Sequence, residues 1–364
     1  MIKILRVSTH PTNIHHGVGL HPSIISENEI FDTTYVTPTI DKDATFLKPK
    51  KYKLKVSKVI FKKRNKQDSK LNNFFFQMIR IFKIISFSLF ALREIKKNNI
   101  DVVHIHSPMY LLVALWGRLN GKLTCITYHG TDYQIIKTSF IYKFFSKKII
   151  NIGFCISPHM LSVVKTLHIK SYYAPNGINS KIFIDKKNER ENIILAVGSL
   201  KSEKSYGNLI KAFKNILETH PQYKLNIAGD GYLKQELTEL VKNLKLENKV
   251  LFLGNLNLIK LVNKYNKAKV FILSSRSEGF PKVVLEAIFC GCRVVATDVG
   301  SVSTFLPKEY VIPNNSITAL TKYIIKVINK KKYEIDTIEL KTRYTWENVT
   351  NIYHEAYSSN IKIC

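Results

Sequence analysis

The chain has 364 residues, 45% apolar and 23% charged, with a formal net charge of +29. That length exceeds one ordinary core and suits two domains, and that balance excludes a disordered chain. Five cysteines without zinc spacing or a secreted pattern exclude a disulfide framework, and the basic excess leaves an anionic membrane surface or nucleic acid as macromolecular partners.

Residues 3–7 read as a first strand, and the N-terminal apolar residues are too few for a secretion signal. With free thiols, this predicts a reducing cytoplasm. His16-Gly17-Val18-Gly19 follows the strand. Glycine lets backbone approach a ligand because it has no Cβ, although an ordinary loop would read the same way. Residues 1–187 hold 30 Lys/Arg against 10 Asp/Glu, and residues 42–70 contribute twelve of those basic residues. The aromatic, apolar run 74–92 comes next, interrupted by Arg80 and Lys83. The interruption argues against a spanning helix. Two readings stay open: an amphipathic segment on an anionic membrane surface, or a core helix whose basic neighbours are solvated. No nucleic-acid motif accompanies the charge, so no nucleic-acid partner is expected.

Strands are predicted at 102–106, 123–128 and 153–156. His104 and His106 share one face of the first of these, as structural or acceptor-side residues. His129-Gly130-Thr131-Asp132 follows the second, which puts His129 at a strand's carboxyl end, within reach of a ligand. The turn Pro175-Asn176-Gly177 and the polar stretch 185–192 mark a hinge. The predicted division is 1–187, 188–345 and a closing helix in 346–364. Strands 193–197, 224–228, 250–253, 270–273 and 293–296 alternate with helical patterns, which argues α/β architecture with parallel sheets. Ligands of doubly wound sheets bind beyond the strands' carboxyl ends, so two such domains facing each other would make a cleft.

Two stretches of the second half carry chemistry. Gly198-Ser199-Leu200 follows a strand, and Lys204 stands just before a predicted helix. Further on, Glu278-Gly279-Phe280-Pro281 opens a helix that carries Glu286. Pro281 suits a first helical turn, and the free N–H groups there make an anion site. A phosphate-bearing ligand would find one carboxylate near each end. Cys290-Gly291-Cys292 reads as small apolar filling at a turn rather than a metal or redox pair. No Asp-x-Asp beside a phosphate loop and no His/Asp cluster is apparent, so no metal and no other cofactor is expected.

At the 278–287 block the chain resembles the retaining glycosyltransferases of family 4, also called group 1, which have the two-domain GT-B fold. Further similarity lies at 193–200, Glu203-Lys204, 225–231, 250–254, 290–300 and 344–347. The resemblance implies two Rossmann-like domains facing a cleft, with the C-terminal helix crossing back to the first. It implies a nucleotide-sugar donor, expected to be a UDP-hexose or UDP-N-acetylhexosamine, and transfer with retention of configuration. Lys204 matches the family's phosphate lysine and Glu286 its ribose ligand. Glu278, with the N–H groups of Gly279 and Phe280, faces the donor sugar, and His129 contacts it. Gly17 and Gly19 match a glycine loop near the diphosphate, as Gly198 matches the phosphate loop. The chain departs from the pattern at Ser199, where an Arg is usual, and Lys201 is a candidate substitute. The expected acceptor is a lipid-linked, lipopolysaccharide or capsule glycan, met by a peripheral enzyme at the inner face of the cytoplasmic membrane. The rival readings are an epimerase or phosphorylase of the same fold and a non-catalytic membrane or nucleic-acid binding protein with a decayed site. A dinucleotide oxidoreductase lacks its glycine fingerprint here.

Overall fold

Buried, apolar strands alternate with helices along the chain. In the computed structural model, residues 1–8, 17–39, 51–60, 70–129 and 132–361 are described. The first unit comprises Met1–Asn176 and Trp346–Cys364. Its strands are β1 Ile2–Val7, β2 Phe31–Thr39, β3 Lys53–Ile60, β4 Val102–Ile105, β5 Leu123–Tyr128, β6 Ile152–Cys155 and β7 Lys170–Tyr173. Its helices α1 Gly17–Ser26, α2 Lys70–Lys97, α3 Leu111–Leu119, α4 Tyr133–Thr138, α5 Phe140–Ile149 and α6 Pro158–Lys165 lie between them. All seven strands are parallel, in the order β3-β2-β1-β4-β5-β6-β7.

The second unit is Gly177–Thr345. It has β8 Glu191–Val197, β9 Lys224–Ala228, β10 Val250–Gly254, β11 Ala268–Leu273, β12 Arg293–Thr297 and β13 Val311–Ile312. Its helices are α7 Tyr206–Thr219, α8 Lys234–Asn243, α9 Leu258–Lys267, α10 Lys282–Phe289, α11 Ile317–Asn329 and α12 Thr337–Tyr344. The parallel order is β10-β9-β8-β11-β12-β13. Both sheets are thus doubly wound, as the alternation predicts.

Each central strand is buried on two faces, which explains its nearly continuous apolar run. Leu5, Val7, Val103 and Ile105 face a core closed by Phe87 and Ala91 of α2, Val113 of α3 and Val164 of α6. Ile4 and Val102 face the opposite core with Val349, Tyr353, Ala356 and Tyr357. Those four belong to α13, Trp346–Ser358, so the C-terminal helix covers one face of the first sheet. Tyr353 stacks on Phe154 of β6 at 4.2 Å.

The units divide between Asn176 and Gly177, whereas the polar stretch 185–192 is stitched into the second. Arg190 donates to the carbonyls of Tyr265, Ala268 and Cys290 and pairs with Asp185, and the Lys186 N–H donates to Asn266 Oδ1. The polar composition there serves this buried network. Cys290 and Cys292 are buried thiols, pushed up to about 12 chiefly by that burial, as filling residues would be.

Helix α2, which contains the 74–92 run, packs on the core along one side and exposes apolar residues on another. Phe87, Ser88, Ala91 and Ile95 are buried, while Ile79, Ile81, Phe82, Ile85 and Leu89 are exposed. Among the described residues no helix is long and apolar enough to cross a membrane. The side chains of residues 70–77 and much of the basic stretch 42–70 lie outside the described residues.

Candidate active site

A sheet whose strand order reverses leaves a crevice at the reversal, and ligands of such sheets bind there. In the second unit the reversal lies between β8 and β11, and the loops after these two strands carry the predicted residues. After β8, Gly198 packs on Gly229 after β9. A Cβ on Gly229, whose φ is +137°, would sit 2.0 Å from the Gly198 carbonyl oxygen, so only glycine lets these loops meet. Lys204 follows in a short turn, and its ammonium pairs with Glu278 Oε1 from the loop after β11. The two side chains are 20% and 16% exposed. Ser275 Oγ donates to the same carboxylate oxygen at 2.8 Å, Ser274 Oγ donates to the Lys204 carbonyl at 2.8 Å, and Thr297 Oγ1 donates to the Ser275 carbonyl at 2.6 Å. Neither serine lies in a motif that marks it in the sequence.

The backbone at Gly279 and Phe280 is held from beneath. Ser301 Oγ donates to the Gly279 carbonyl at 3.3 Å, and the buried Phe280 ring packs with Phe305 and Tyr344 at 5.8 and 5.9 Å. Helix α10 begins at Lys282, with Pro281 as its N-cap residue rather than inside the first turn. Proline offers no side-chain cap, so no side chain competes for the helix's first donors. Glu286 lies one turn further on and accepts a hydrogen bond from Tyr265 Oη at 3.0 Å. Burial holds its carboxyl above the ordinary range, opposed by Lys282 and by the tyrosine bond.

Lys201, the candidate substitute for the Arg missing at Ser199, is exposed in this loop. Arg276 is a second cation nearby in the chain's fold. It is exposed in the loop before Glu278, and its backbone N–H donates to the Glu203 carbonyl at 2.7 Å, which ties it beside Lys204.

In the first unit the strand order reverses between β1 and β4, and a cluster of basic side chains gathers there. Arg6 is fully buried, and its Nη1 lies 3.2 Å from His106 Nε2. A guanidinium can only donate, so Nε2 accepts and the His106 proton sits on Nδ1. His106 Nδ1 and Arg6 Nε and Nη2 are then three buried donors without a protein partner among the described residues. His104 stacks on His106 at 4.5 Å and is structural, bonded to Tyr357 Oη and Thr127 Oγ1 at 2.5 and 2.8 Å.

His129 directly follows β5, and its N–H donates to Asp132 Oδ2 at 2.8 Å. Burial pushes His129 down to about 4 and Asp132 up to about 6. Ring nitrogens of His21, His106 and His129 lie within 4.8 Å of one another, a convergence hidden by their separation in sequence. Three such nitrogens match a metal's donor set in number. The Arg6 guanidinium, however, occupies Nε2 of His106, leaves a proton on Nδ1, and sets a fixed positive charge beside the cluster. The arrangement therefore favours an acceptor oxygen over a cation. Gly17 and Gly19 lie in the first turn of α1 rather than in a loop. His16, Gly130 and Thr131 are outside the described residues.

The structure thus brings Lys204 to Glu278, Glu286 to Tyr265, and His129 to His21 and His106. Comparison with known proteins bears on what these groups do. The family model of glycosyl transferases group 1 matches residues 178–343, and that of Glycosyltransferase Family 4 matches residues 61–181. A Campylobacter jejuni protein, GalNAc-alpha-(1->4)-GalNAc-alpha-(1->3)-diNAcBac-PP-undecaprenol alpha-1,4-N-acetyl-D-galactosaminyltransferase, is 31% identical over 265 residues, covering 68% of this chain and 71% of that one. The phosphatidylinositol N-acetylglucosaminyltransferase gpi3 subunit of Schizosaccharomyces pombe is 26% identical over 313 residues, which is 78% of this chain but 65% of the length of that relative. Among solved structures, Anabaena HepE in complex with UDP and glucose superimposes with a TM-score of 0.73 at 14% identity, over 99% of this chain and all of that one.

Proposed function

The chain belongs to the glycosyl transferases of group 1, and from that membership we propose that it moves a hexose or N-acetylhexosamine from a UDP-sugar to a lipid-linked glycan, with retention of configuration. The observation that carries the reading is the Lys204–Glu278 pair at the strand-order reversal, with the carboxylate of Glu286 on the adjoining helix.

Each group has a task that its chemistry fits. Lys204 leaves Glu278 for the diphosphate and stabilises the charge that develops on it. Arg276 is placed by its tether to add the second cation in place of the arginine absent at Ser199. The first-turn donors of α10 add dipole support. Glu286, steadied by Tyr265, accepts from the two vicinal ribose hydroxyls. Glu278, released from Lys204, and the backbone at Gly279 and Phe280 take sugar hydroxyls. In the first unit, His129 and the donors around Arg6 are assigned to sugar or acceptor oxygens. The bond from the anomeric carbon to the diphosphate oxygen breaks as the acceptor oxygen bonds to the same face of that carbon. The acceptor's proton passes to the departing phosphate oxygen. Lys204, Arg276 and helix dipoles suffice for the charge, so transfer proceeds without a metal ion.

A lipid-bound acceptor is supported by two relatives whose names specify undecaprenol and phosphatidylinositol. The basic, apolar α2 supports work at an anionic membrane surface. The test is a thermal-shift panel of UDP, GDP and ADP followed by incubation with UDP-sugars and a bacterial glycolipid extract. A shift with UDP, acceptor-dependent UDP release and an α-linked product from an α-linked donor are expected. UDP-sugar consumed without acceptor would replace this reading with an epimerase, and inverted product would overturn retention.

A further inference from the structure

Helices α2, α3 and α5 of the first unit leave a groove of about 630 Å³ between them, inside the range of about 300–1,000 Å³ typical of small-molecule sites. Its walls are aliphatic and aromatic: Ile81 and Ile84 from α2, Leu112 and Leu115 from α3, Ile141 and Phe145 from α5. Ile81, Ile141 and Phe145 are 51%, 71% and 47% exposed. Beside the groove, Phe82, Phe140 and Phe144 are exposed as well. A helix apolar on two faces normally has both covered, and exposed apolar groups gathered on several helices mark a binding surface. Here the core covers one face of α2, and none of the described residues covers the other.

The surrounding charge narrows what does. Arg80 borders the groove, with Nη2 3.6 Å from Sδ of the groove residue Met109. Lys83 lies on α2, Lys137 on the short helix α4 that precedes α5, and Lys143, Lys147 and Lys148 on α5, and Glu94 is the only acidic residue on these three helices from position 78 onward. An apolar channel within a field of cations complements a molecule with a hydrocarbon chain and an anionic head. A protein partner's helix would bring its own polar face to this rim, whereas a phosphorylated lipid brings only negative charge.

We propose that this groove binds the hydrocarbon chain of the lipid that carries the acceptor glycan, with Arg80 and the α5 lysines meeting its phosphate. The proposal rests on the glycolipid-acceptor reading and adds the place where the lipid sits. It predicts that recognition depends on chain length as well as on the glycan.

The test uses the full chain and the fluorescent polyene fatty acid cis-parinaric acid, with undecaprenyl phosphate and farnesyl phosphate as competitors. Wild type is expected to bind the probe and release it to undecaprenyl phosphate at a concentration at least about tenfold below that needed with farnesyl phosphate. Ile81→Glu and Ile141→Glu, both at exposed positions, place a carboxylate in the groove and are expected to weaken probe binding at least tenfold with melting temperature unchanged. Phe140→Glu, 79% exposed and outside the groove lining, is expected to leave binding intact. Absent probe binding, equal potency of the two phosphates, or equal loss in Phe140→Glu would overturn the proposal. Displacement by phosphatidylglycerol vesicles as potent as by undecaprenyl phosphate would overturn it in favour of a bilayer anchor. A probe-independent dimer blocked by Ile141→Glu would overturn it in favour of self-association. If UDP-sugar transfer to glycolipid occurs without chain-length dependence, the groove assignment fails alone. If the probe binds but no uridine nucleotide does, the glycosyl-transfer reading fails and the lipid site stands.

Discussion

Replacing Lys204 by methionine keeps the stem length and removes the ammonium. A hydrogen bond to a charged group is worth about 1.5–3 kcal/mol, so a lost lysine–diphosphate contact weakens UDP binding by roughly 10- to 150-fold. In the free protein, however, that ammonium is already engaged by Glu278, whose carboxylate is also held by Ser275. Separating the pair offsets part of the gain, and the loss in Lys204→Met is expected near the lower figure. The same competition gives the partner substitution the opposite sign. In Glu278→Gln the lysine no longer has an anion to leave, so UDP should bind as tightly as to wild type or several-fold more tightly, while sugar transfer falls. Isothermal titration with UDP, run on both variants and the double variant, reads these signs directly, and the double variant isolates the coupling. Lys204→Met binding UDP within twofold of wild type would refute the reasoning. So would Glu278→Gln losing UDP affinity as severely as Lys204→Met.

Glu286→Gln keeps an acceptor for Tyr265 but removes a carboxylate whose pKa burial raises. The raised value means that the charged form costs stability above the ordinary carboxylate range, so the melting temperature at pH 7 should hold or rise. UDP affinity should fall about tenfold through the weakened ribose contact; calorimetry showing unchanged affinity would remove Glu286 from the site. Asp132→Asn tests the buried pair at the end of β5. Below pH 6.5 an unfolded histidine takes a proton that folded His129 refuses until about 4, so acid destabilises over that window, and His104 and His106 act in the same direction. Folded Asp132 takes its proton at about 6 against 3.8 for the ordinary group, so acid stabilises through it. Without that opposing contribution, the melting temperature of Asp132→Asn should fall more steeply than wild type between pH 6.5 and 4; parallel profiles would count against it. Arg190→Ala strips donors from three carbonyls and from Asp185, and a loss on the order of 3 kcal/mol or more is expected in urea unfolding. A change below 1 kcal/mol would show the network to be dispensable, on the same scale.

What the sequence determines by itself is local. Strands buried on both faces must be apolar along their length, so β1, β4, β5, β6, β8, β9, β11 and β12 are readable from their runs alone, and the apolar run of β10 is readable too. Lys204, Glu278 and Glu286 are readable because a strand-loop-helix unit keeps its ligand groups within a few residues of one another. β2 escapes because its mix of threonine, proline and apolar residues follows neither period cleanly, and β3 because its short alternation is set within the lysine-rich stretch 42–70. β7 and β13 are short strands at one edge of their sheets. Gly17 and Gly19 read as a loop because helix propensity disfavours glycine, yet they open α1. The rest is decided by tertiary structure. Arg6 lies between Leu5 and Val7 and looks like the solvent face of an edge strand until β2 and β4 flank it. His21, His106 and His129 meet only because the strand order reverses between β1 and β4, and α13 closes the first unit from the far end of the chain. Phe140, Ile141, Phe144 and Phe145 are apolar in sequence and exposed in the fold. Periodicity shows which residues need a partner; whether another element arrives to cover them depends on how the sheet is wound.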